Sequence, residues 1–199
     1  MEYIYEAHNM LPKTFCKEMI EKFESDSRRR QGETQGGAID HTLKKCTDLS
    51  IEHITGWGVE SKHLDDAFNT AFIDYQNYLK LNVFGEEKAH IVDQLFSGKN
   101  VVRNTLTFRK YQVGDYFKWH IDYLHSADRM CNFIIYLNDH EACTEFLNGK
   151  KIKPEAGKIV FFPTTWADAH CGQTIEKGDK YMITSFIHYD DTNERYTPP

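Results

Sequence analysis

Apolar side chains recur at helical spacing through the first third of the chain. They fall three or four positions apart in residues 14–23, 61–79 and 86–96, and this spacing collects them on one face of a helix. Thr14 is a typical N-cap residue, and Ser97-Gly98 is a typical helix end. The pattern therefore predicts three helices in this part of the chain.

From Asn100 onward the helical spacing ends, and short segments rich in aromatic and β-branched residues follow. Gly, Asn and Asp residues of the kind found in turns separate the segments. The predicted strands are residues 101–111, 116–123, 131–138, 158–162 and 180–189. Because no helical pattern lies between them, we predict an antiparallel sandwich or jelly roll and not a parallel sheet.

The two parts together predict an α+β protein that is mainly β. A chain of 199 residues suits one compact domain, so we expect a single domain over residues 1–199. Its helical part, at about residues 1–99, is expected to pack on one face of a β core at about residues 100–189.

One stretch after the first helix, residues 25–39, contains three consecutive arginines, Arg28-Arg29-Arg30, and three glycines. This composition predicts a flexible loop. Two interpretations stay open at this point: a solvated surface loop, or a lid that grips a substrate.

The composition narrows the class of protein. With 24 basic against 30 acidic side chains, the formal net charge is −6, which disfavours a protein whose whole surface binds nucleic acid. No run approaches the ~18 apolar residues of a membrane span, and the first residues lack the pattern of a secretory signal. The five cysteines contain no C-x-x-C pair, so we expect free thiols and a cytoplasmic protein.

The candidate chemistry begins with a histidine and an aspartate two positions apart. The chain has three such pairs, at His63-Asp65, His120-Asp122 and His188-Asp190. Residues two apart share one face of a strand but diverge on a helix. Only the middle pair lies in a predicted strand that a later histidine, His170, can complete.

His170 lies 48 positions after Asp122, and Lys180 follows ten positions later. Two imidazoles and one carboxylate make a facial triad, which leaves open positions on the metal and is typical of non-haem Fe(II); zinc would favour a fourth protein ligand. Lys180 lies in a mostly apolar strand and needs an anionic partner such as a small dicarboxylate. Each residue alone also fits a structural role, and their joint spacing favours a site.

The motifs of the second half resemble those of the Fe(II)/2-oxoglutarate-dependent oxygenases, most closely the prolyl 4-hydroxylase-like branch. The likeness covers about residues 100–189, while the helical first half matches loosely. The motifs that carry it are, in order, Tyr111-x-x-Gly114-x-x-Phe117-x-x-His120-x-Asp122, Tyr136-Leu137-Asn138, Thr144-Glu145-Phe146, Pro154-x-x-Gly157, Phe161-Phe162-Pro163, His170 and Lys180.

The resemblance implies a double-stranded β-helix in which His120, Asp122 and His170 bind Fe(II). It also implies that Lys180 pairs with the distal carboxylate of 2-oxoglutarate, and that Tyr136 hydrogen-bonds the same carboxylate.

Two further hydroxyls are candidate cofactor-binding residues. Thr184 shares the strand face of Lys180 by alternation, and Tyr111 is a candidate pocket phenol. For both, the alternative is a core hydroxyl that bonds to the backbone.

Three positions depart from the family pattern. Phe117 stands where relatives usually carry Tyr, Ala142-Cys143-Thr144 replaces a Gly-Gly-x-Thr turn, and Phe186 stands where many relatives have Trp. None is a predicted iron ligand or the lysine, so these departures bear on the primary substrate and not on the expected activity class.

The expected function is hydroxylation of a prolyl residue in a peptide or protein, or of free proline. Fe(II), 2-oxoglutarate and O2 are the implied reactants, with ascorbate as a further candidate cofactor. Two alternatives stay open: a nucleic-acid dealkylase of the same superfamily, and a non-catalytic β-helix binding module. The sequence leaves the oligomeric state open.

Overall fold

A computed structural model describes residues 2–34, 37–52, 54–96, 101–123 and 129–189. Within these residues, two antiparallel β-sheets of eight and five strands lie against a shared core. Helices cover the other face of the larger sheet. This arrangement confirms the predicted jelly roll and the predicted packing of the helices on one face.

The helices all precede the main strands. They are α1 (Lys13–Ser25), α2 (Gly58–Tyr78) and α3 (Ala89–Phe96), with a π-helical segment (Leu79–Phe84) and a 3-10 turn (Glu86–Lys88) between α2 and α3. A further 3-10 turn (Trp166–Asp168) precedes β12. The strands are β1 (Tyr5–Ala7), β2 (Arg30–Gln31), β3 (Lys44–Lys45), β4 (Thr47–Ser50), β5 (Val101–Arg103), β6 (Thr107–Tyr111), β7 (Tyr116–His120), β8 (Arg129–Tyr136), β9 (Thr144–Phe146), β10 (Lys151–Ile152), β11 (Ile159–Pro163), β12 (His170–Gly172) and β13 (Lys180–Tyr189).

The chain winds back and forth between the two sheets. The larger sheet has the order β1-β11-β8-β13-β6-β4-β2, with β5 also paired to β13, and the smaller sheet has the order β10-β9-β12-β7-β3. From β6 to β9, successive strands alternate between the sheets. The smaller sheet therefore gathers residues that are far apart in the sequence, which matters for the site described below.

Side-chain alternation along β8 divides two cores. Phe133 and Ile135 pack among the residues that the helices cover, whereas Ile134 and Tyr136 pack among residues of the smaller sheet. Successive residues of a strand point to opposite faces. The continuous apolar run of β8 is therefore explained by burial on both sides.

Aromatic rings hold α2 against the larger sheet. Phe161 of β11 stacks on Tyr75 of α2 with ring centroids 5.1 Å apart, and Phe68 of α2 lies 4.7 Å from Phe133 of β8. All four side chains are buried. Burial of a large apolar side chain stabilises a fold by about 1.5–3 kcal/mol, so this contact is a major source of the attachment of the helices.

The first third of the chain is less purely helical than the sequence predicts. It contributes β1, β2 and β4 to the larger sheet and β3 to the smaller sheet. These strands are two to four residues long, and two of them bury a charged side chain, Lys44 and Asp48. Short strands with inward charges show no hydrophobic alternation, so the pattern gave no sign of them.

Several predicted boundaries are also wrong. Helix α1 begins at Lys13 with Pro12 in the N-cap position and no side-chain cap, so Thr14 is not the cap; the fixed φ of proline suits a helix start. The predicted strand 101–111 is two strands, and 116–123 ends at His120. The predicted helix end at Ser97-Gly98 lies outside the described residues.

The helices and the cysteines bear on two of the expectations drawn from composition. None of the described helices combines the length and the apolar character needed to cross a lipid bilayer. All five cysteines are free thiols, and four of them are buried.

The aromatic contact between α2 and the sheet makes a stability prediction. Phe161→Ala removes a fully buried ring, so we expect the free energy of unfolding to fall by about 3–5 kcal/mol. Ile73→Ala is the matched control, because Ile73 lies on α2 but is 59% exposed, and its effect should stay within about 0.5 kcal/mol. Urea unfolding followed by circular dichroism measures both. A loss below 1 kcal/mol for Phe161→Ala would show that the ring is not a main contact.

Candidate active site

Three of the residues singled out from the sequence meet on the smaller sheet. His120 ends β7, Asp122 follows two residues later, and His170 begins β12. The Nε2 atoms of His120 and His170 lie 3.6 and 3.7 Å from the two carboxylate oxygens of Asp122, and one ligand atom from each residue falls within 4.8 Å of the other two. The three side chains therefore share one small space.

Strand pairing produces this convergence. His120 and His170 are direct partners across the antiparallel pair β7–β12, and their ring centroids are 4.3 Å apart. Side chains of directly opposed residues lie on the same face of a sheet. A histidine fifty positions along the chain is thus fixed beside the first.

Backbone carbonyls set the tautomer of both imidazoles. His120 Nδ1 is 2.8 Å from the carbonyl of Lys118, and His170 Nδ1 is 3.1 Å from the carbonyl of Asp168. A carbonyl can only accept a hydrogen bond, so Nδ1 carries the proton in each ring. The lone pair of each Nε2 is left facing the aspartate.

The electrostatics keep His120 neutral. Burial, together with the neighbouring His170, lowers the pKa of His120 to about 4. Phe117 stacks on its ring with centroids 3.5 Å apart, which keeps water from that face. A neutral imidazole is the form that binds a metal ion.

Asn132 fixes the carboxylate of the third residue. Its Nδ2 donates to Asp122 Oδ2 at 2.6 Å, which also determines which end of the amide is the oxygen, because a carboxylate accepts and does not donate. Asn132 Oδ1 is buried and has no hydrogen-bond partner within the described residues. This oxygen is therefore a buried hydrogen-bond acceptor without a donor among the described residues.

A cavity of about 60 Å³ opens beside the triad. This volume suits small molecules or a single inserted side chain and excludes a folded partner. Its other lining residues are Arg109, Tyr111, Phe117, Asn132, Ile134, Thr144, Gly172, Lys180, Met182, Thr184 and Phe186.

Lys180 is a buried cation in the wall of this cavity. The residue is 2% exposed, and its Nζ has one hydrogen bond, to the carbonyl of Ala142 at 3.2 Å. Burial lowers its pKa to about 8. Within the described residues, no carboxylate pairs with it, so a bound anion is the partner that this amine requires.

The remaining predicted residues lie at different depths. Tyr111 and Thr184 line the cavity, and burial raises the pKa of the Tyr111 phenol well above its usual value, which keeps it a hydrogen-bond donor. Tyr136 lies one layer behind the wall, since its hydroxyl is 2.7 Å from that of Thr144, which is a lining residue. Tyr136 would therefore act on a ligand indirectly, through its hydrogen bond to Thr144.

The donor set fits a metal ion. Two Nε2 lone pairs and the oxygens of one carboxylate face each other with no hydrogen between them, an arrangement that is repulsive unless a cation lies in the middle. Two nitrogens and one oxygen are the donors of an open non-haem iron site.

Three polar lining residues, Arg109, Asn132 and Thr144, had no site role predicted from the sequence. Arg109 shares the strand face of Tyr111 and Asn132 shares that of Ile134, so alternation along β6 and β8 could have placed both. Thr144 lies in a three-residue strand that has no pattern of its own.

A family comparison agrees with this geometry. Residues 106–188 match the model of the 2OG-Fe(II) oxygenase superfamily. The match spans β6 to most of β13 and includes the triad and Lys180. This part of the chain is therefore similar to a family whose description names Fe(II) and 2-oxoglutarate. No curated protein sequence matches the chain.

Several solved structures share the fold. The prolyl hydroxylase of Trichoplax adhaerens, in complex with a hypoxia inducible factor peptide, has a TM-score of 0.71 at 14% identity, covering 94% of this chain and 84% of its own. A Pseudomonas putida prolyl-4-hydroxylase has a TM-score of 0.65 at 14% identity (95% and 94% covered). The viral collagen prolyl hydroxylase of Paramecium Bursaria Chlorella virus-1 has a TM-score of 0.62 at 16% identity (94% and 97% covered). At such identities, the likeness shows a common fold.

Lys180 yields a prediction that links stability to binding. Its folded pKa of about 8 lies below the usual value of 10.5, so the folded state disfavours the proton. Stability should therefore be lowest below pH 8, rise between pH 8 and 10.5 and level off above. Lys180→Met should remove this rise and stabilise the ligand-free protein by about 1–3 kcal/mol at pH 7, while lowering 2-oxoglutarate affinity about 10- to 100-fold.

Thermal unfolding from pH 7 to 10.5 and calorimetric titration with 2-oxoglutarate measure the two effects. Lys45→Met is the control, because Lys45 is a half-exposed cation of β3 outside the cavity. Unchanged 2-oxoglutarate affinity in Lys180→Met would contradict the role given to the amine.

Proposed function

We propose that this protein is a 2OG-Fe(II) oxygenase that hydroxylates a prolyl substrate, either a prolyl residue in a peptide or protein or free proline. One observation carries the proposal: the triad of His120, Asp122 and His170 shares a cavity with an unpaired buried lysine, Lys180. A metal site with an anion site beside it is what an iron enzyme with a dicarboxylate cosubstrate requires.

The triad is proposed to hold Fe(II), and Lys180 to pair with the distal carboxylate of 2-oxoglutarate. Thr144, Tyr111 and Thr184 supply hydroxyls to the same cavity. Bound iron and 2-oxoglutarate supply the activation of O2 that side chains cannot provide. The protein supplies the placement of the reactants.

The neighbouring residues of this chain keep the ligands in place. The carbonyls of Lys118 and Asp168 hold the imidazole tautomers, and Asn132 holds the carboxylate of Asp122. Such contacts fix the orientation and the basicity of metal ligands.

Aromatic rings shield the centre from water. Phe146 and Phe162 pack around His170 with ring centroids 5.5 and 4.8 Å away, and Phe117 covers His120. Phe117 stands where relatives usually carry Tyr, and here it contributes a stacked apolar face.

The prolyl substrate is supported by the structural neighbours, three of which are prolyl hydroxylases and one of which holds a peptide. At the edge of the cavity, Phe186 replaces the common Trp and keeps an aromatic face, with the guanidinium of Arg129 3.8 Å from its ring centroid. A flat apolar face of this kind suits the packing of a pyrrolidine ring.

The nucleic-acid alternative loses support from the arginine run. Arg28 is bound to Asp26 in an ion pair, Arg29 to Glu24 and Arg30 to Glu33. Arginines held by carboxylates do not present the basic patch that phosphate backbones need. The binding-module alternative predicts loss of a ligand or of the lysine, and the chain keeps all four.

Ascorbate as an accessory reductant and a cytoplasmic location are further parts of the proposal. They rest on the resemblance and on the cysteine composition.

A turnover assay tests the proposed function. With Fe(II), ascorbate and 2-oxoglutarate, the protein should form succinate and add one oxygen atom to a prolyl peptide or to L-proline, detected by mass spectrometry. His120→Ala should lower turnover by more than about 100-fold, because even the residues behind metal ligands contribute 10- to 100-fold.

His63→Ala is the matched control. His63 belongs to another histidine–aspartate pair of the chain but lies exposed on α2, so turnover should be unchanged. Absence of succinate with every prolyl compound tried, or full activity of His120→Ala, would overturn the proposed function.

A further inference from the structure

A second cation lines the cavity, and the proposed function does not use it. Arg109 of β6 is largely buried, with a side chain 17% exposed, and its Nε donates to Thr184 Oγ1 at 2.8 Å. Both residues line the cavity beside the triad. A guanidinium has five N–H donors, so its bond to Thr184 and its ion pair with Asp48 leave donors for a ligand.

The charge of Arg109 is incompletely balanced. Its nearest carboxylate is Asp48, which is its direct cross-strand partner in β4, at 3.4 Å. The same Asp48 oxygen is 3.0 Å from the Nζ of Lys44, a residue 1% exposed. One carboxylate thus faces two buried cations. An excess buried charge is unfavourable unless a ligand compensates it.

Arg109 and Lys180 line the cavity at different points: Arg109 lies opposite Met182 of β13 and bonds to Thr184, whereas Lys180 lies opposite Tyr111. Thr184, to which Arg109 bonds, is four residues along β13 from Lys180, which corresponds to about 13 Å between their Cα atoms. A dicarboxylate that extends from Lys180 to the triad therefore leaves the Arg109 end to another molecule.

The charge balance of the loaded site points the same way. Fe(II) and Lys180 together carry three positive charges, which equal the three negative charges of Asp122 and 2-oxoglutarate. Nothing in that set offsets the excess positive charge beside Arg109. The molecule that enters last should therefore place a negatively charged group beside Arg109.

Asn132 adds a second requirement. Its buried Oδ1 is an unused acceptor in the same cavity, and an unmet acceptor of this kind is satisfied by an N–H donor. The cavity thus offers cationic donors at one point and an acceptor at another. This pair complements the carboxylate and the amine of one amino acid.

We propose that Arg109 and Thr184 form a second anion-binding subsite, which holds the carboxylate of the primary substrate while Asn132 Oδ1 accepts a hydrogen bond from its amine. Thr184 can accept from Arg109 and donate its own proton to the carboxylate. This inference rests on the proposed function and narrows it: the substrate is a free amino acid, with L-proline as the prolyl case, and not an internal residue of a peptide.

The test compares L-proline with L-prolinamide, which keeps the ring and the amine but loses the carboxylate charge. Both are titrated calorimetrically into the full chain loaded with Fe(II) and 2-oxoglutarate without O2. L-Proline should bind about 10- to 100-fold more tightly. In Arg109→Met the ratio should fall to about one, while 2-oxoglutarate affinity changes less than about threefold.

Arg109→Lys keeps the positive charge and should retain part of the preference for L-proline over L-prolinamide. If Arg109→Met fails to fold, this second variant still tests the proposal. Lys45→Met makes the same charge change outside the cavity and should leave the ratio intact. Equal binding of the two compounds, no binding of either, or tighter binding of an end-blocked prolyl peptide would overturn the proposal. Loss of 2-oxoglutarate affinity in Arg109→Met by the same factor would also overturn it, because Arg109 would then serve the cosubstrate or the fold.

The two proposals fail separately. An intact preference for L-proline with no hydroxylated product would contradict the proposed reaction and leave the subsite standing. Turnover of a prolyl peptide, with L-proline and L-prolinamide bound equally well, would support the proposed reaction and contradict the subsite.

Discussion

The antiparallel pairing of β7 with β12 is the constraint on which the site depends. It places His120 directly opposite His170, and Asp122 then needs only to follow His120 beyond the strand end. A shift of one residue in this register would turn one imidazole to the opposite face of the sheet. The aromatic contacts between α2 and the larger sheet, and the shared core between the sheets, hold the framework on which that register is kept.

Burial then gives the positioned groups their chemical character. The same exclusion of water lowers the pKa values of His120 and Lys180, with opposite consequences. For the histidine it favours the neutral, ligating form, whereas for the lysine it makes the charged form depend on an anion. Under the proposed function, the unfavourable burial of this lysine is offset when a diacid binds beside it.

The buried charges of the N-terminal strands are connected to the cavity wall. Lys44 lies in β3, the edge strand of the smaller sheet, and Asp48 lies in β4, which is next to the edge strand β2 of the larger sheet. Asp48 contacts Arg109 in the cavity wall. The N-terminal part therefore reaches the site through charge as well as covering the core. This connection explains why charged residues occupy inward positions in strands that carry no hydrophobic alternation.

Much of this protein follows from local pattern. Alternation and turn residues predict the long strands, and the spacing from His120 to Lys180 indicates the triad and the lysine, although Asp122 lies beyond the end of β7 and not on a strand. The sequence pattern did not predict the three-residue β12 or the charged β3 and β4, since strands this short are defined by their partners and not by their own residues. It also misplaced the start of α1, which is at Lys13 after Pro12 as the N-cap residue. The roles open to Arg109 and Asn132 likewise depend on which side chains face them across the sheets, and only the tertiary structure brings those partners together.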